Sequence, residues 1–503
     1  MLRLCAGAAM LVGAAAYVGS EAWGQPHLLI VVIAGVVGMY MAMNIGANDV
    51  ANNVGPAVGS GALTMIGALA IAAVFEAAGA IIAGGEVVGT IKKGIIDPDL
   101  IGDATVFVRL MLAALFAAAL WINVATVVGS PVSTTHSIVG GVLGGGIAAA
   151  GFGIVDWGVM GKIAASWVIS PALGAIIAAG FLALIKAAIV YREDRVAAAK
   201  TWVPILVAIM GAAFSAYLIT KGLKKVWKAD VATIIAVVGA SFFMIYFIVR
   251  PMVAMASKTL KNTREDVGKL FTIPLVISAA MLCFAHGSND VANAIGPLAA
   301  IVNSVSEGGV AAKVAIPFWV MVVGALGLSA GLALYGGRMV KRVGKEITEL
   351  DRLRAFSVAL SSAITVIVAS GLALPVSSTH IALGAIFGIG FLREYLENEA
   401  DKVRIIREHF NDDTEPSLFD TAKAEIEWRH EVLERALKDL LPERERIFYF
   451  EATKKAEQAV MNWERKKLVR RSHLRTIVLA WLITVPATAA ISAALYFALS
   501  LSV

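Results

Sequence analysis

Residues Asn44–Gly61 read NIGANDVANNVGPAVGSG. Four asparagines and one aspartate stand here in one of the most apolar parts of the chain, with no Lys or Arg beside them. An unpartnered polar group in a packed or lipid-facing helix costs on the order of several kcal/mol. The stretch is therefore either a polar lock between helices or part of a site.

The surroundings decide the fold class. The chain has 503 residues, of which 58% are hydrophobic and 16% charged, and its mean hydropathy is +0.78. Soluble domains carry about 25% charge. Apolar runs near the length of a bilayer-spanning helix recur about twelve times, some of them broken by Gly, Pro and Ser. The short alternating segments of a β-barrel are absent. An all-α polytopic membrane protein with about 12 transmembrane segments follows. Cys5 and Cys283 cannot make a disulfide framework. The pI near 9.1 comes largely from Lys and Arg flanking helices, which fits a lipid bilayer and positive-inside topology rather than nucleic acid.

The opening stretch occurs twice. GANDVANNVGPAVG (Gly46–Gly59) is echoed 241 residues later by GSNDVANAIGPLAA (Gly287–Ala300). GSPVSTTHSIVGG (Gly129–Gly141) is echoed 244 residues later by ALPVSSTHIALGA (Ala373–Ala385). A weaker echo joins ASWVISP (Ala165–Pro171) to LAWLITVP (Leu479–Pro486). Loop charge gives the two halves opposite senses. Residues 338–354 hold six bases and three acids and read as cytoplasmic, whereas Lys92 and Lys93 face Asp97, Asp99 and Asp103 in a loop that reads as outside. Lys221, Lys224, Lys225 and Lys228 run against this count. Two inverted-topology repeats with broken or re-entrant helices are expected, with a site near the midplane built from both.

The division expected is 1–26 as a signal peptide or extra N-terminal helix, 27–190 as the first repeat, and 191–269 as linking helices. Residues 270–392 form the second repeat, 393–474 a charged helical cytoplasmic insert, and 475–503 the final transmembrane helix. In the insert, Glu427-x-x-His430 resembles half a di-iron motif but has no second copy, so it reads as a solvated helix face.

Asp49 and Asp290 are ionisable groups inside apolar segments, which makes them site candidates. Asn48, Asn52, Asn289 and Asn293 add hard amide oxygens at helical spacing. Such ligands suit Na⁺, and an Asp can instead carry H⁺. The following Gly-Pro is expected to end the helix and free carbonyls for the cation. Glu76, in an apolar segment with no cation within a helix turn, is expected to join that site or carry a proton.

Ser133, Thr134 and Thr135, like Ser377, Ser378 and Thr379, follow a proline that fits a first helical turn. Their hydroxyls, free N–H groups and the positive helix end would hold an oxyanion. Plain N-capping is the alternative. His136 and His380 are expected to hydrogen-bond within the broken helices. His286 ranks low, because Ile45 stands at its equivalent position.

These stretches resemble the inorganic phosphate transporter (PiT) family. FEAAGA (Phe75–Ala80), TIKKGIID (Thr90–Asp97), KIAASWVISP (Lys162–Pro171) and FAHGSNDVANAIGP (Phe284–Pro297) extend the resemblance in the same order. It covers 27–392 and 475–500. The resemblance implies a cation-coupled phosphate symporter of twelve spans, a homodimer in a cell (inner) membrane, and a pattern nearer the sodium-coupled branch. It further implies Na⁺ at Asn48, Asp49, Asn289 and Asp290, and inorganic phosphate in the two Pro-Val-Ser loops. No catalytic residues and no cofactor are expected beyond the transported Na⁺ or H⁺. One departure is FSVAL (Phe356–Leu360), where Ala359 stands in place of a Glu usual in that branch. Two other readings remain: a symporter of sulfate or another tetrahedral oxyanion, and a membrane sensor or scaffold with a cytoplasmic partner for 393–474.

Overall fold

The computed structural model describes residues 2–86, 95–97, 100–222, 229–309, 316–345, 350–371, 376–409, 422–438, 443–464 and 471–501. Lys92, Lys93, Asp99, Lys224, Lys225, Lys228 and the 372–375 segment of the second Pro-Val-Ser motif lie outside them.

In chain order the helices are α1 (Leu2–Glu21), α2 (Leu28–Asn48), α3 (Val50–Gly59), α4 (Met65–Ala83), α5 (Ala104–Val128), α6 (Thr134–Ala150) and α7 (Trp157–Ile185). They continue with α8 (Arg195–Tyr217), α9 (Val231–Ala256), α10 (Arg264–Lys269), α11 (Thr272–Asp290), α12 (Ala292–Glu307) and α13 (Phe318–Gly331). The last are α14 (Gly337–Lys345), α15 (Arg352–Gly371), α16 (Ser378–His409), α17 (Ala422–Lys438), α18 (Glu443–Glu464) and α19 (Arg471–Leu501). Single π turns extend α7, α8 and α13, the last through Leu332–Gly336. Helix starts follow the local sequence. Thr64, Asp103, Ser133, Asp156 and Asp194 each cap a first turn with a side-chain oxygen.

Among the described residues, eleven helical segments are long and apolar enough to cross a bilayer. The chain is an all-α polytopic membrane protein. Helix α6 is not among those eleven: it has 17 residues and is buried along most of its length. At the other extreme, α9 has only Val253 buried, as suits a helix facing lipid.

The expected break at Gly-Pro is about two turns late. The helix ladder is interrupted instead at Asp49, between α2 and α3, and at Val291, between α11 and α12, while the backbone of both residues keeps helical dihedrals. Pro56 and Pro297 lie inside α3 and α12. Each proline lacks an N–H, so the carbonyl four residues earlier, on Asn52 or Asn293, loses its helical partner without the helix ending.

Glycines bring the site helices together. A Cβ on Gly79 would collide with the Phe284 carbonyl, and one on Gly287 with that of Glu76. The other half repeats this contact: Gly331 meets the Met43 carbonyl and Gly46 that of Leu328. The pairing α4–α11 is thus matched by α13–α2, with backbones in direct contact because neither surface carries a side chain.

The chain divides into two compact units, Met1–Ile386 with Ser472–Val503, and Phe387–Arg471. The second has its own small core of Ile406, Ala456 and Val460, with Ile426 against it. Glu425 takes ion pairs from Arg407 at 3.1 Å and Arg429 at 2.8 Å. His430 faces Glu457 at 3.7 Å, both half exposed.

Candidate functional site

The two helix breaks meet the starts of α6 and α16 in one buried cluster. Asp49 receives the Thr134 hydroxyl on one carboxylate oxygen at 2.6 Å and the Thr379 hydroxyl on the other at 2.7 Å. Asp290 receives the Ser378 hydroxyl at 2.7 Å and the Asn289 amide at 2.8 Å. Thr134 and Ser378 are equivalent positions of the two repeats, so each aspartate takes a hydroxyl from its own half.

The amides cross between halves. Asn52 donates to Thr379 at 2.9 Å. Its counterpart Asn293 donates to Thr134 and Thr135, both at 3.2 Å. Thr135 and Asn289 both donate to the Val376 carbonyl, at 3.2 and 3.3 Å. All of these residues are buried.

Asn48 behaves differently from expectation. Its amide donates to Thr126 at 2.9 Å and the Ser130 carbonyl at 3.2 Å, and its oxygen accepts the Val132 N–H at 3.1 Å. It ties the end of α2 to the strap before α6, which is the polar lock. The buried oxygens Asn52 Oδ1 and Asn53 Oδ1 instead have no hydrogen-bond partner. Buried acceptors left unpaired are costly, and hard oxygens beside a carboxylate fit a cation.

Ser133 and Ser377 are N-caps, accepting the N–H of His136 at 3.1 Å and of His380 at 3.2 Å. Capping thus accounts for one hydroxyl of three in each motif. Most of the others are directed at carboxylates.

His286 is the largest correction to the sequence reading. Its Nδ1 lies 2.7 Å from Glu76 Oε2 and its Nε2 lies 2.8 Å from Asp290 Oδ2. The other Glu76 oxygen accepts the Asn53 amide at 2.9 Å. Glu76 does have an ionisable partner, 210 residues away in sequence. Asp49, His286 and Asp290 bring ligand atoms within 4.8 Å of one another. The network is one-sided: Ile45 and Leu328 occupy the positions equivalent to His286 and Glu76.

His136 and His380 do not hydrogen-bond within their helices. Their rings meet edge to face at 4.4 Å, and each lies on a tryptophan, His136 on Trp167 at 3.7 Å and His380 on Trp481 at 3.6 Å. No ring nitrogen completes a hydrogen bond. His136 also borders the Trp481 backbone, and His380 that of Trp167. The weak third echo, ASWVISP and LAWLITVP, is what supplies these tryptophans.

The profile of the phosphate transporter family matches residues 45–492. The chain belongs to that family. It is therefore a transporter and not an enzyme. A Helicobacter pylori protein named as a candidate phosphate permease is 46% identical over 99% of this chain and 95% of its own length. A Thermococcus kodakarensis protein of the same description is 41% identical, covering 76% of this chain and 93% of its own. A solved structure, "The sodium-dependent phosphate transporter", superposes with a TM-score of 0.76 at 32% identity, covering 94% of this chain and all of that one. Within this family member, Ala359 is fully buried on α15, which packs against α11, the helix that ends at Asp290.

Proposed function

We propose that the chain is a secondary symporter that moves inorganic phosphate together with Na⁺ by alternating access. Asp49, Asp290, Asn52 and Asn293 hold the cations, with Asn48 and Asn289 setting the geometry. Ser133, Thr134, Thr135, Ser377, Ser378 and Thr379 hold phosphate. Glu76 supports the cation side through His286.

The observation that carries this reading is the set of matching carboxylate–hydroxyl contacts, Thr134 and Thr379 on Asp49 and Ser378 on Asp290. Each hydroxyl proton can turn from a carboxylate to a phosphate oxygen. A cation on the carboxylate replaces the hydrogen bond it gives up. Anion binding and cation binding then reinforce each other, which is what coupling requires. Charge balance points the same way. Asp49, Glu76 and Asp290 are buried around one imidazole, and buried charge is tolerated only when compensated.

The name of the superposed structure supports Na⁺ for the cation. His286, between two carboxylates, favours H⁺ as the second reading. We further propose a homodimer in the inner membrane, with 393–474 on the cytoplasmic side.

Uptake of ³²P-phosphate into proteoliposomes tests the function. An inward Na⁺ gradient should drive accumulation, and collapsing it should stop accumulation. Accumulation that follows only a proton gradient would select the second reading. Full competition by sulfate would move the substrate to another tetrahedral oxyanion.

A further inference from the structure

A cavity of about 610 Å³ lies beside the site and takes no part in the reading above. Its walls come from α1, α2, α5 and the segment from Leu332–Gly336 into α14. The polar part of the lining adjoins the cluster. Asn44, one turn before Asn48 on α2, accepts the Asn123 amide at 3.2 Å. Thr126, another lining residue, accepts the Asn48 amide at 2.9 Å. The cavity is therefore one hydrogen bond away from the helix break that carries Asp49.

Two arginines, Arg3 and Arg338, are among the residues lining the same cavity, and both are exposed. Among the described residues, no carboxylate lines it and neither arginine forms an ion pair. Arg338 reaches the Val127 carbonyl at 3.5 Å, at the limit of a hydrogen bond. The wall is held in shape by Tyr335, whose hydroxyl donates to the Arg3 carbonyl at 2.9 Å. Gly7 makes room for that ring, since a Cβ there would sit 2.7 Å from the Tyr335 oxygen. Helix α1 precedes residue 45, where the family profile begins, so this wall is not part of the matched segment.

Guanidinium forks match the oxygens of a phosphate group and bind it in two-point contacts. Two arginines at a cavity with amide and hydroxyl groups in its lining supply the composition that an oxyanion site needs. We propose that this cavity is a second phosphate-group site, in which Arg3 and Arg338 hold free phosphate or the headgroup of an anionic phospholipid beside Asn48. The free-phosphate form rests on the function proposed above, and the lipid form does not.

Native mass spectrometry of the full-length protein tests it, with inorganic phosphate and phosphatidylglycerol titrated in separate arms. The comparison is between the native chain, the charge-removing pair Arg3→Gln with Arg338→Gln, and the charge-keeping pair Arg3→Lys with Arg338→Lys. The native chain should carry one more tightly bound anion than the Gln pair, or bind it roughly tenfold more tightly. The Lys pair, which keeps the charge and loses the forks, should bind more weakly than the native chain and more tightly than the Gln pair. A difference in the phosphate arm identifies free phosphate, and one in the phosphatidylglycerol arm identifies the headgroup. Equal occupancy in both arms for all three proteins overturns the site. If the Gln pair yields no monodisperse protein, Arg338→Gln alone makes the comparison. Na⁺-driven uptake on the same preparations separates the two proposals. Uptake without an arginine-dependent anion defeats this site alone. An arginine-dependent lipid without uptake defeats the function alone.

Discussion

His286 joins Glu76 to Asp290, while the equivalent positions in the other half carry Ile45 and Leu328. That asymmetry gives a sharp test. Removing one member of a buried ionic pair leaves the other uncompensated, at about 3–5 kcal/mol. His286→Ile and Glu76→Leu should each lower the melting temperature of the purified protein markedly. The double variant, which copies the apolar pair of the sister half, should recover most of that loss while transporting poorly. Additive losses in the double variant would show that the two side chains do not act as a pair. Asp49→Asn and Asp290→Asn should each cut coupled uptake roughly tenfold or more, about 1.4 kcal/mol, with melting temperature little changed for Asp49→Asn and lowered for Asp290→Asn, which removes a partner of His286. Native uptake in either would remove that aspartate from the site. The aspartates and the hydroxyls were legible because their motifs repeat. His286 was not, since its partner lies far along the chain and its repeat counterpart is apolar. The role of Asn48 as a lock was equally hidden, because Thr126, Ser130 and Val132 carry no signal that they converge on it.

At the scale of elements, the site depends on how closely α4 approaches α11 and α2 approaches α13. Gly287→Ala would place a methyl against the Glu76 carbonyl, with no room in a close-packed interface. It should reduce the yield of monodisperse protein in size-exclusion chromatography far more than Gly180→Ala, where a Cβ meets nothing. Equal yields would mean that the two backbones can separate without harm. The helix order and the lengths of most spans could be read from apolar runs alone. The positions of the breaks could not. Gly-Pro is the stronger local signal, yet Pro56 and Pro297 are carried inside helices, and the interruption falls at Asp49 and at Val291, the latter just after Asp290.

For the whole molecule, the sequence repeat becomes a reciprocal set of contacts, with Asn52 reaching Thr379 and Asn293 reaching Thr134 and Thr135. Every residue assigned to the site belongs to the unit Met1–Ile386 with Ser472–Val503. Replacing residues 400–465 with a flexible linker should therefore leave phosphate uptake within about twofold, less than ~0.5 kcal/mol, as measured in proteoliposomes. Loss of uptake in correctly inserted protein would give that segment a part in transport. The most direct test of the central claim reverses the usual assay. Proteoliposomes are given no Na⁺ gradient and an inward phosphate gradient, and ²²Na⁺ entry is followed. Reciprocity of coupling predicts that phosphate drives net ²²Na⁺ entry, so that Na⁺ accumulates inside above its outside concentration, and that Asp49→Asn abolishes this. Phosphate entry with no net ²²Na⁺ movement would contradict the account.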